Sequence, residues 1–325
     1  MWLLAGTSCS DLQRVAAISK EHEEMGNASQ QIDESTLKNC GWNNAYYVSK
    51  TAKRRAYSYF ECNRRYIEIE KYMHGALQKK EFEVWYQPQY SIATHRCFAA
   101  EALVRWRSPV MGLLRPGAFL NVFEHNNFIA QLDSYMLREA CAFQEKRMKS
   151  GEKLLPVFVN QSNTNVLETG YPAQVKAYLE SYGLPVDAIV IELTKSVLEK
   201  IRLDESYKAA EKNIRELHDL GIKVSMDDFG AGSDSFLLLD FLPVDIVKVD
   251  RSLLKAAVSS ERAELILSKI VELSGMLDIS VICEGVETEE QEELLNFCGC
   301  YGGQGFLFAK PMPETFFSPW AQQNI

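Results

Sequence analysis

Two adjacent aspartates, Asp227 and Asp228, close an apolar run, and a turn that contains Gly230 and Gly232 follows at once. Two carboxylates this close repel each other unless a cation lies between them. Further polar side chains stand at the ends of other strand-like runs: Glu101, Asn160, Glu192, Lys248, Glu284 and Gln304. One aspartate at a strand end is usually a turn former or a helix cap. The five carboxylates of this set and the Asn160 amide, if they meet at one rim, would instead suit hard divalent cations.

Such a set would support the hydrolysis of a phosphate ester. Two divalent ions about 3.5–4 Å apart, bridged by a shared carboxylate, clamp the attacking and leaving oxygens of this reaction. We expect Asp227 to bridge the two ions and Asp228 to hold the second. Lys248 would supply positive charge to the attacked phosphate or to the attacking water. The two glycines let the backbone turn sharply beside the site.

The fold must bring the ends of several strands together. From Glu81 onward, apolar strand-like runs alternate with amphipathic helical runs. The strand-like runs cover residues 82–90, 97–106, 154–160, 188–194, 222–228, 245–250, 279–285 and 302–308. This order predicts an α/β protein, a (β/α)8 TIM-like barrel whose strand ends carry the chemistry. The segment between the first two runs is too short for a helix, so we expect one antiparallel strand. An open doubly wound sheet is the structural alternative.

The chain is predicted to have three parts: an N-terminal segment (1–62), a linker helix (63–80) and the barrel (81–320). The net charge of −9 argues against a surface for a DNA or RNA polymer. No apolar run is long enough to span a membrane, and the opening MWLLAG lacks the basic region of a signal peptide. The eight cysteines form no CxxC pair, which argues against structural zinc. We therefore expect a cytoplasmic protein with reduced thiols.

The motifs around these residues occur in a particular order. EALVRW stands at 101–106, after YQP at 86–88 and before VNQS at 159–162, ELT at 192–194 and DDFGAG at 227–232. LPVDIVKVD (242–250), CEGVE (283–287) and GGQGFLFAKP (302–311) complete the set. Over residues 81–318 the chain thus resembles the EAL family of cyclic di-GMP phosphodiesterases. The resemblance implies a barrel with one antiparallel strand, which hydrolyses cyclic di-GMP to linear pGpG with Mg²⁺ or Mn²⁺ at two sites.

The resemblance also implies roles for individual residues. The ligands of the first metal would be Glu101, Asn160, Glu192 and Asp227. The ligands of the second would be Asp227, Asp228 and Glu284. The residues around the water and the phosphate would be Lys248 and Gln304, with Glu287 in support and with Glu101 and Glu284 among the catalytic groups. The dinucleotide would contact Gln87 and Arg105. The planar fork of an arginine suits a phosphate or a guanine edge, and a rim salt bridge is the structural alternative for Arg105. A homodimer is implied as well.

Two departures from the family pattern concern the loop after the paired aspartates. Lys195 stands in ELTKS where the family commonly has a glutamate, and Ala231 replaces a threonine in DDFGAGSDS. A misordered loop would misplace the second metal without removing a ligand. The alternative function is therefore a non-catalytic cyclic di-GMP receptor, and a purely structural barrel would bind no dinucleotide at all. An ammonium cannot accept the hydrogen bonds that a carboxylate accepts, but Lys195 can pair with Asp234.

The region before the linker carries a second resemblance. Residues 40–60 are similar to the final helix and strand of GGDEF diguanylate cyclase domains, through Tyr47, Lys50, Arg54 and Tyr57. The GGDEF signature itself is missing from the sequence, so the segment is interpreted as a remnant and no cyclase activity is expected.

Overall fold

The computed structural model describes residues 65–193, 206–230, 239 and 242–325. The chain divides into two units, Met1–Ile67 and Glu68–Ile325, and the second contains the barrel. The GGDEF-like residues 40–60, Lys195 and the loop residues 231–235 lie outside the described residues. The boundaries predicted for the three parts of the chain stay a prediction.

Eight strands close into a barrel, in the order β1-β2-β4-β5-β6-β7-β8-β9 and back to β1. β1 is antiparallel to both of its neighbours in the ring, and the other neighbouring pairs are parallel. The strands are β1 Phe82–Ser91, β2 Cys97–Ser108, β3 Gly112–Leu114, β4 Val157–Gln161, β5 Ile189–Leu193, β6 Lys223–Phe229, β7 Ile246–Val249, β8 Ser280–Glu284, β9 Gly302–Gln304 and β10 Met312–Pro313. The predicted barrel with one antiparallel strand is confirmed, and the open doubly wound sheet is wrong because β1 pairs with both β2 and β9.

The two strands outside the ring extend its first hairpin. β3 pairs with the end of β2, and β10 pairs with β1. The ninth strand is shorter than the predicted run 302–308, because the chain turns at Gly305. The Leu307 N–H donates to the Val286 carbonyl and the Phe308 N–H to the Gly305 carbonyl, which folds residues 305–308 across the end of β8.

Helices surround the barrel. In the described residues they are α1 (65–78), α2 Leu120–His125, α3 Ile129–Lys149, α4 Asn163–Val166, α5 Tyr171–Ser181, α6 Ser206–Asp219, α7 Arg251–Ser259, α8 Glu261–Met276, α9 Glu289–Phe297 and α10 Glu314–Asn324, with 3₁₀ turns at Pro116–Ala118 and Val186–Ala188. Capping residues fix where several of them begin. Asp250 accepts from the Ser252 N–H before α7, and Thr288 forms a capping box with Gln291 before α9.

The apolar strands are buried on both faces, as expected of parallel strands between an interior and a helical layer. The inward-facing side chains form one small cluster: Ala99, Phe158, Val190, Ile246 and Ile282. A larger cluster packs between the strands and the helices. The filled interior leaves the carboxyl ends of the parallel strands as the place where polar side chains converge.

Candidate active site

Strand register brings the sequence-predicted polar residues to one rim. Asn160 is paired with Glu192 across β4 and β5, and Glu284 with Gln304 across β8 and β9. Gln87 lies opposite Glu101 in the antiparallel β1–β2 pair, so β1 contributes through its side chains although it runs the other way.

The Lys248 ammonium lies at the centre of this rim, and its side chain has no exposed surface. Its Nζ lies 2.6 Å from Glu192 Oε1, 2.6 Å from Glu284 Oε1 and 3.1 Å from Glu101 Oε2. Asp227 Oδ1 is farther away, at 3.8 Å. One cation therefore serves four acidic side chains, and the cluster keeps an excess of negative charge.

The pKa values of the cluster show this imbalance. Burial raises the pKa of Glu192 well above its ordinary value; Lys248 opposes the rise and the neighbouring carboxylates add to it. Burial likewise raises the pKa of Glu284 to about 7. Burial would also raise the pKa of Glu101, but Lys248 and hydrogen bonds from two amides lower it overall. The Lys248 pKa is raised well above its usual range because its four acidic neighbours outweigh the cost of burial.

Amide side chains orient the carboxylate of Glu101. Gln304 Nε2 donates to Glu101 Oε2 at 2.5 Å, and Asn160 Nδ2 donates to Glu101 Oε1 at 3.2 Å. Gln304 Nε2 also donates to Gln87 Oε1, and Gln304 Oε1 accepts from Gln89 Nε2 at 3.0 Å. The fully buried Gln89 was missed from the sequence, although its place two residues after Gln87 on one strand face could have indicated it.

A cleft of about 310 Å³ opens above the cluster. Its lining residues are Gln87, Glu101, Leu103, Asp227, Arg251, Glu284, Gly285, Glu287, Gln304, Gly305 and Phe306. Arg251 and Phe306 were not predicted; Arg251 directly follows the strand-end motif KVD, which was the signal available for it. Glu287 is exposed, and its N–H donates to Gln291 Oε1.

Five predicted residues lie outside this described lining: Lys248 and Glu192, which are fully buried beneath the cleft, and Asn160, Asp228 and Arg105. The Asn160 amide donates a hydrogen bond to the Glu101 carboxylate. Asp228 has a positive φ of 56°, a left-handed conformation that aspartate tolerates better than most residues. Arg105 lies two residues beyond Leu103 on β2, half-buried, with its guanidinium 5.4 Å from the centre of the Trp85 ring.

The donor set fits a hard divalent cation. Glu101, Glu192 and Glu284 each offer a carboxylate oxygen, and these oxygens lie within 4.8 Å of one another. Within the described part of the chain, Glu192 Oε2 and Asp227 Oδ1 are buried without a hydrogen-bond partner. Buried acceptors of this kind are costly unless a cation or a donor reaches them. The arrangement can therefore hold a metal ion.

None of the helices in the described residues is both long enough and apolar enough to cross a bilayer.

Comparison with known proteins places the site in a family context. The family model described as EAL domain matches residues 71–311. The cyclic di-GMP phosphodiesterase NbdA of Pseudomonas aeruginosa is 34% identical over 276 residues, which are 85% of this chain and 34% of NbdA. The bifunctional diguanylate cyclase/cyclic di-GMP phosphodiesterase MucR of the same organism is 30% identical over 274 residues, 83% of this chain and 39% of MucR. The chain thus spans about a third of the length of these curated relatives.

A solved structure has the same fold. The PaMucR phosphodiesterase in complex with c-di-GMP superposes with a TM-score of 0.70 at 30% identity, over 77% of this chain and 99% of that one.

Proposed function

The chain belongs to the EAL domain family, and on this basis we propose that it hydrolyses cyclic di-GMP to linear pGpG with two divalent cations. The observation that carries the proposal is the set of three glutamate oxygens within 4.8 Å of one another, at the base of a cleft in a fold whose relatives include named cyclic di-GMP phosphodiesterases. A dinucleotide rather than a DNA or RNA polymer is the proposed ligand, in keeping with the net charge of −9. The proposed place of action is the cytoplasm.

Six residues would hold the cations, Mg²⁺ or Mn²⁺, at two sites. The first site would use Glu101, Asn160, Glu192 and Asp227. The second would use Asp227, Asp228 and Glu284. When bound, the pair of cations lowers the pKa of a water molecule and stabilises the charge that develops on a phosphate.

The chain's own residues prepare the site for this charge. Lys248 neutralises part of the acidic cluster, and its raised pKa keeps the ammonium protonated in the physiological range. Gln304 fixes the carboxylate of Glu101 and would lie near the phosphate. Glu287, exposed at the cleft, would support the site by attracting cations and orienting bound water.

Two further residues would contact the substrate. Gln87 lines the cleft and donates through Nε2 to the Ala309 carbonyl at 3.3 Å, which fixes its side chain. Arg105, above the cleft, would donate in pairs to a phosphate oxygen or to a guanine edge.

The test is turnover by Glu101→Ala with Mg²⁺ or Mn²⁺ present, with pGpG measured by chromatography. Loss of this ligand should reduce kcat/KM by about 10³-fold or more, since metal-assisted stabilisation of charge supplies several kcal/mol. The exposed Glu124→Ala is the matched control and should be unchanged. Equal hydrolysis with and without Glu101 would refute the assignment. Tight binding of cyclic di-GMP with no pGpG under any divalent cation would instead indicate a receptor.

We also propose that the protein forms a homodimer. α8 has an exposed apolar face with Leu265, Ile266, Leu273 and Met276. Lys269 and Glu272 lie between the ends of this face, so an antiparallel copy would set lysine against glutamate and Leu265 against Met276. Light scattering would show a monomer in solution if this proposal is wrong.

A further inference from the structure

Two arginines lie opposite each other where β2 and β3 rise beyond the cleft. The β2–β3 register pairs Trp106 with Leu114 and Arg107 with Leu113. Continued by one step, it sets Arg115 opposite Arg105, and Arg115 has the extended backbone that this step requires (φ −88°, ψ 158°). Directly opposite residues of an antiparallel pair point to the same face, with Cβ atoms about 5 Å apart.

The shared face is the one that continues upward from the acidic cluster. Glu101, Leu103 and Arg105 follow one another at a spacing of two on β2, and the first two line the cleft. On the neighbouring β1, Trp85 continues the row of Gln87, and its ring lies beneath the Arg105 guanidinium. The two arginines therefore stand on a wall above the mouth of the cleft.

No ion pair with a carboxylate neutralises Arg105 or Arg115 within the described residues, although the Glu101 carboxylate acts on Arg105 at longer range. Glu83, opposite Arg105 on β1, is occupied: it is bonded to Arg107 through both oxygens and accepts from the Trp85 indole at 3.1 Å. The pKa of Arg105 is lowered, first by burial and next by Arg115.

Like charges directly opposite in a sheet destabilise it, so a protein gains nothing in stability from this arrangement. Two guanidinium groups side by side offer many N–H donors and a double positive charge to an anion. The Cα atoms of Glu101 and Arg105 are four residues apart on an extended strand, about 13 Å. A ligand with two phosphates can contact both the acidic cluster and the arginines across this distance. A single phosphate bound at the cluster is too far from the arginines to do so.

We propose that Arg105 and Arg115 form a phosphate-binding subsite, which takes the phosphate of a cyclic dinucleotide that is not held at the acidic cluster. The inference rests on the proposed function and adds Arg115 to its substrate-binding residues. The cluster with its cations then receives one phosphodiester, and the arginine pair, with Trp85 at its side, receives the other. Recognition at two points would favour a dinucleotide over a mononucleotide.

The experiment compares Arg115→Gln and Arg115→Glu with Arg96→Gln, which changes the same charge at the far end of the β1–β2 hairpin. The Kd for cyclic di-GMP is measured by calorimetry in EDTA, and KM and kcat are measured with Mn²⁺. Arg115→Gln should raise Kd and KM about tenfold, because a tenfold change is the scale of one charge-assisted contact. It should leave kcat within about twofold of the wild type. The loss of affinity in Arg115→Gln should be smaller at high salt, and Arg96→Gln should change Kd and KM little.

Thermal unfolding separates this role from a structural one. Arg115→Glu creates an opposite-charge pair with Arg105, so Tm should rise by about 1–2 °C while affinity falls further. A structural Arg115 would instead show a lower Tm in both variants. Unchanged Kd and KM in Arg115→Gln, with a wild type that binds normally, would overturn the subsite and leave the proposed function intact. A wild type that neither binds nor hydrolyses cyclic di-GMP would overturn both.

Discussion

Lys248 and Glu192 form an ion pair in which neither side chain has exposed surface, with Nζ and Oε1 2.6 Å apart. Taking both charges out of water costs several kcal/mol per ion, and the pair repays this only with well-placed neighbours. Here the neighbours are further acids, so the lysine is surrounded by more negative charge than it can neutralise. The ammonium stabilises the cluster in the absence of a metal, and it leaves negative charge for cations to balance.

Lys248→Met should therefore destabilise the metal-free protein. Removal of one partner of a buried ion pair costs about 3–5 kcal/mol of unfolding free energy. Denaturation in urea with EDTA measures this, and Mn²⁺ should restore part of the loss by binding the folded cluster. The exposed Lys255→Met on α7 is the control. A Lys248→Met protein as stable as the wild type in EDTA would contradict the role given to the ammonium.

Asp133 should make stability depend on pH. It is buried on α3 and accepts from the Ser162 N–H at 2.7 Å, and burial raises its pKa from 3.8 to about 7. Between these values the folded state binds more protons than the unfolded state, so the unfolding free energy falls as pH rises from about 4 to about 7. The fall is at most on the order of 4 kcal/mol, from a shift of about three pKa units.

Asp133→Asn should remove this dependence, because an amide can still accept from Ser162 and does not titrate. Urea denaturation at pH 5 and pH 8 compares the variant with the wild type and with the exposed Asp187→Asn. The variant should gain stability relative to the wild type at pH 8. Parallel pH profiles for all three proteins would show that Asp133 is not the cause.

Gly285 is required by its contact with α7. Its φ is +70°, and an added Cβ would lie 2.4 Å from the Cβ of Arg251. Gly299 has nearly the same φ, +71°, but an added Cβ there meets nothing within 4 Å. Gly299→Ala should therefore lower the free energy of unfolding by about 1 kcal/mol, the cost of a left-handed alanine. Gly285→Ala should lower it by about 2 kcal/mol more, because the added Cβ clashes with Arg251. Equal losses in urea denaturation would mean that Arg251 moves aside freely.

Asp228→Asn should remove one cation and keep the fold, since asparagine tolerates the left-handed backbone that Asp228 adopts. Calorimetry with Mn²⁺ should give two ions per wild-type chain and one per variant chain. Asp278→Asn is a matched control, because Asp278 is also an aspartate with positive φ (58°) and is exposed. Two ions in Asp228→Asn would show that Asp228 is not a ligand.

The barrel was readable from the sequence because its strands are short apolar runs that end in polar residues. Glu192 after AIVI and Glu284 after SVIC are examples: each apolar run fixes the strand, and the barrel fixes which end carries chemistry. The hairpin β1–β2 was equally readable, since a short polar connection cannot contain a helix.

The contacts within the site were not readable in the same way. Nothing in the position of Lys248 indicates whether its long side chain points to a bound phosphate or folds among the carboxylates, because both follow from the same strand face. The turn at Gly305 depends on backbone contact with Val286, which comes from another strand. The pairing of Arg115 with Arg105 depends on the register of a three-residue strand, and short strands give little periodicity to read.

Because β1 runs in the reverse direction, the helix that precedes it meets the barrel at the end where the cleft opens. Phe82, the first residue of β1, pairs with Trp106 near the end of β2, so α1 reaches the barrel beside the cleft. Glu81, which follows α1, accepts two hydrogen bonds from β2. Its Oε2 accepts from the Trp106 indole at 2.9 Å, and its carbonyl accepts from the Arg107 N–H at 2.8 Å. In a barrel of eight parallel strands, a helix before the first strand would meet the opposite end. Here α1 ends beside the strands that carry Trp85 and Arg105, and its Ile69, Met73 and Ala76 belong to the same hydrophobic core. The helix that precedes the barrel is therefore packed together with the wall of the cleft.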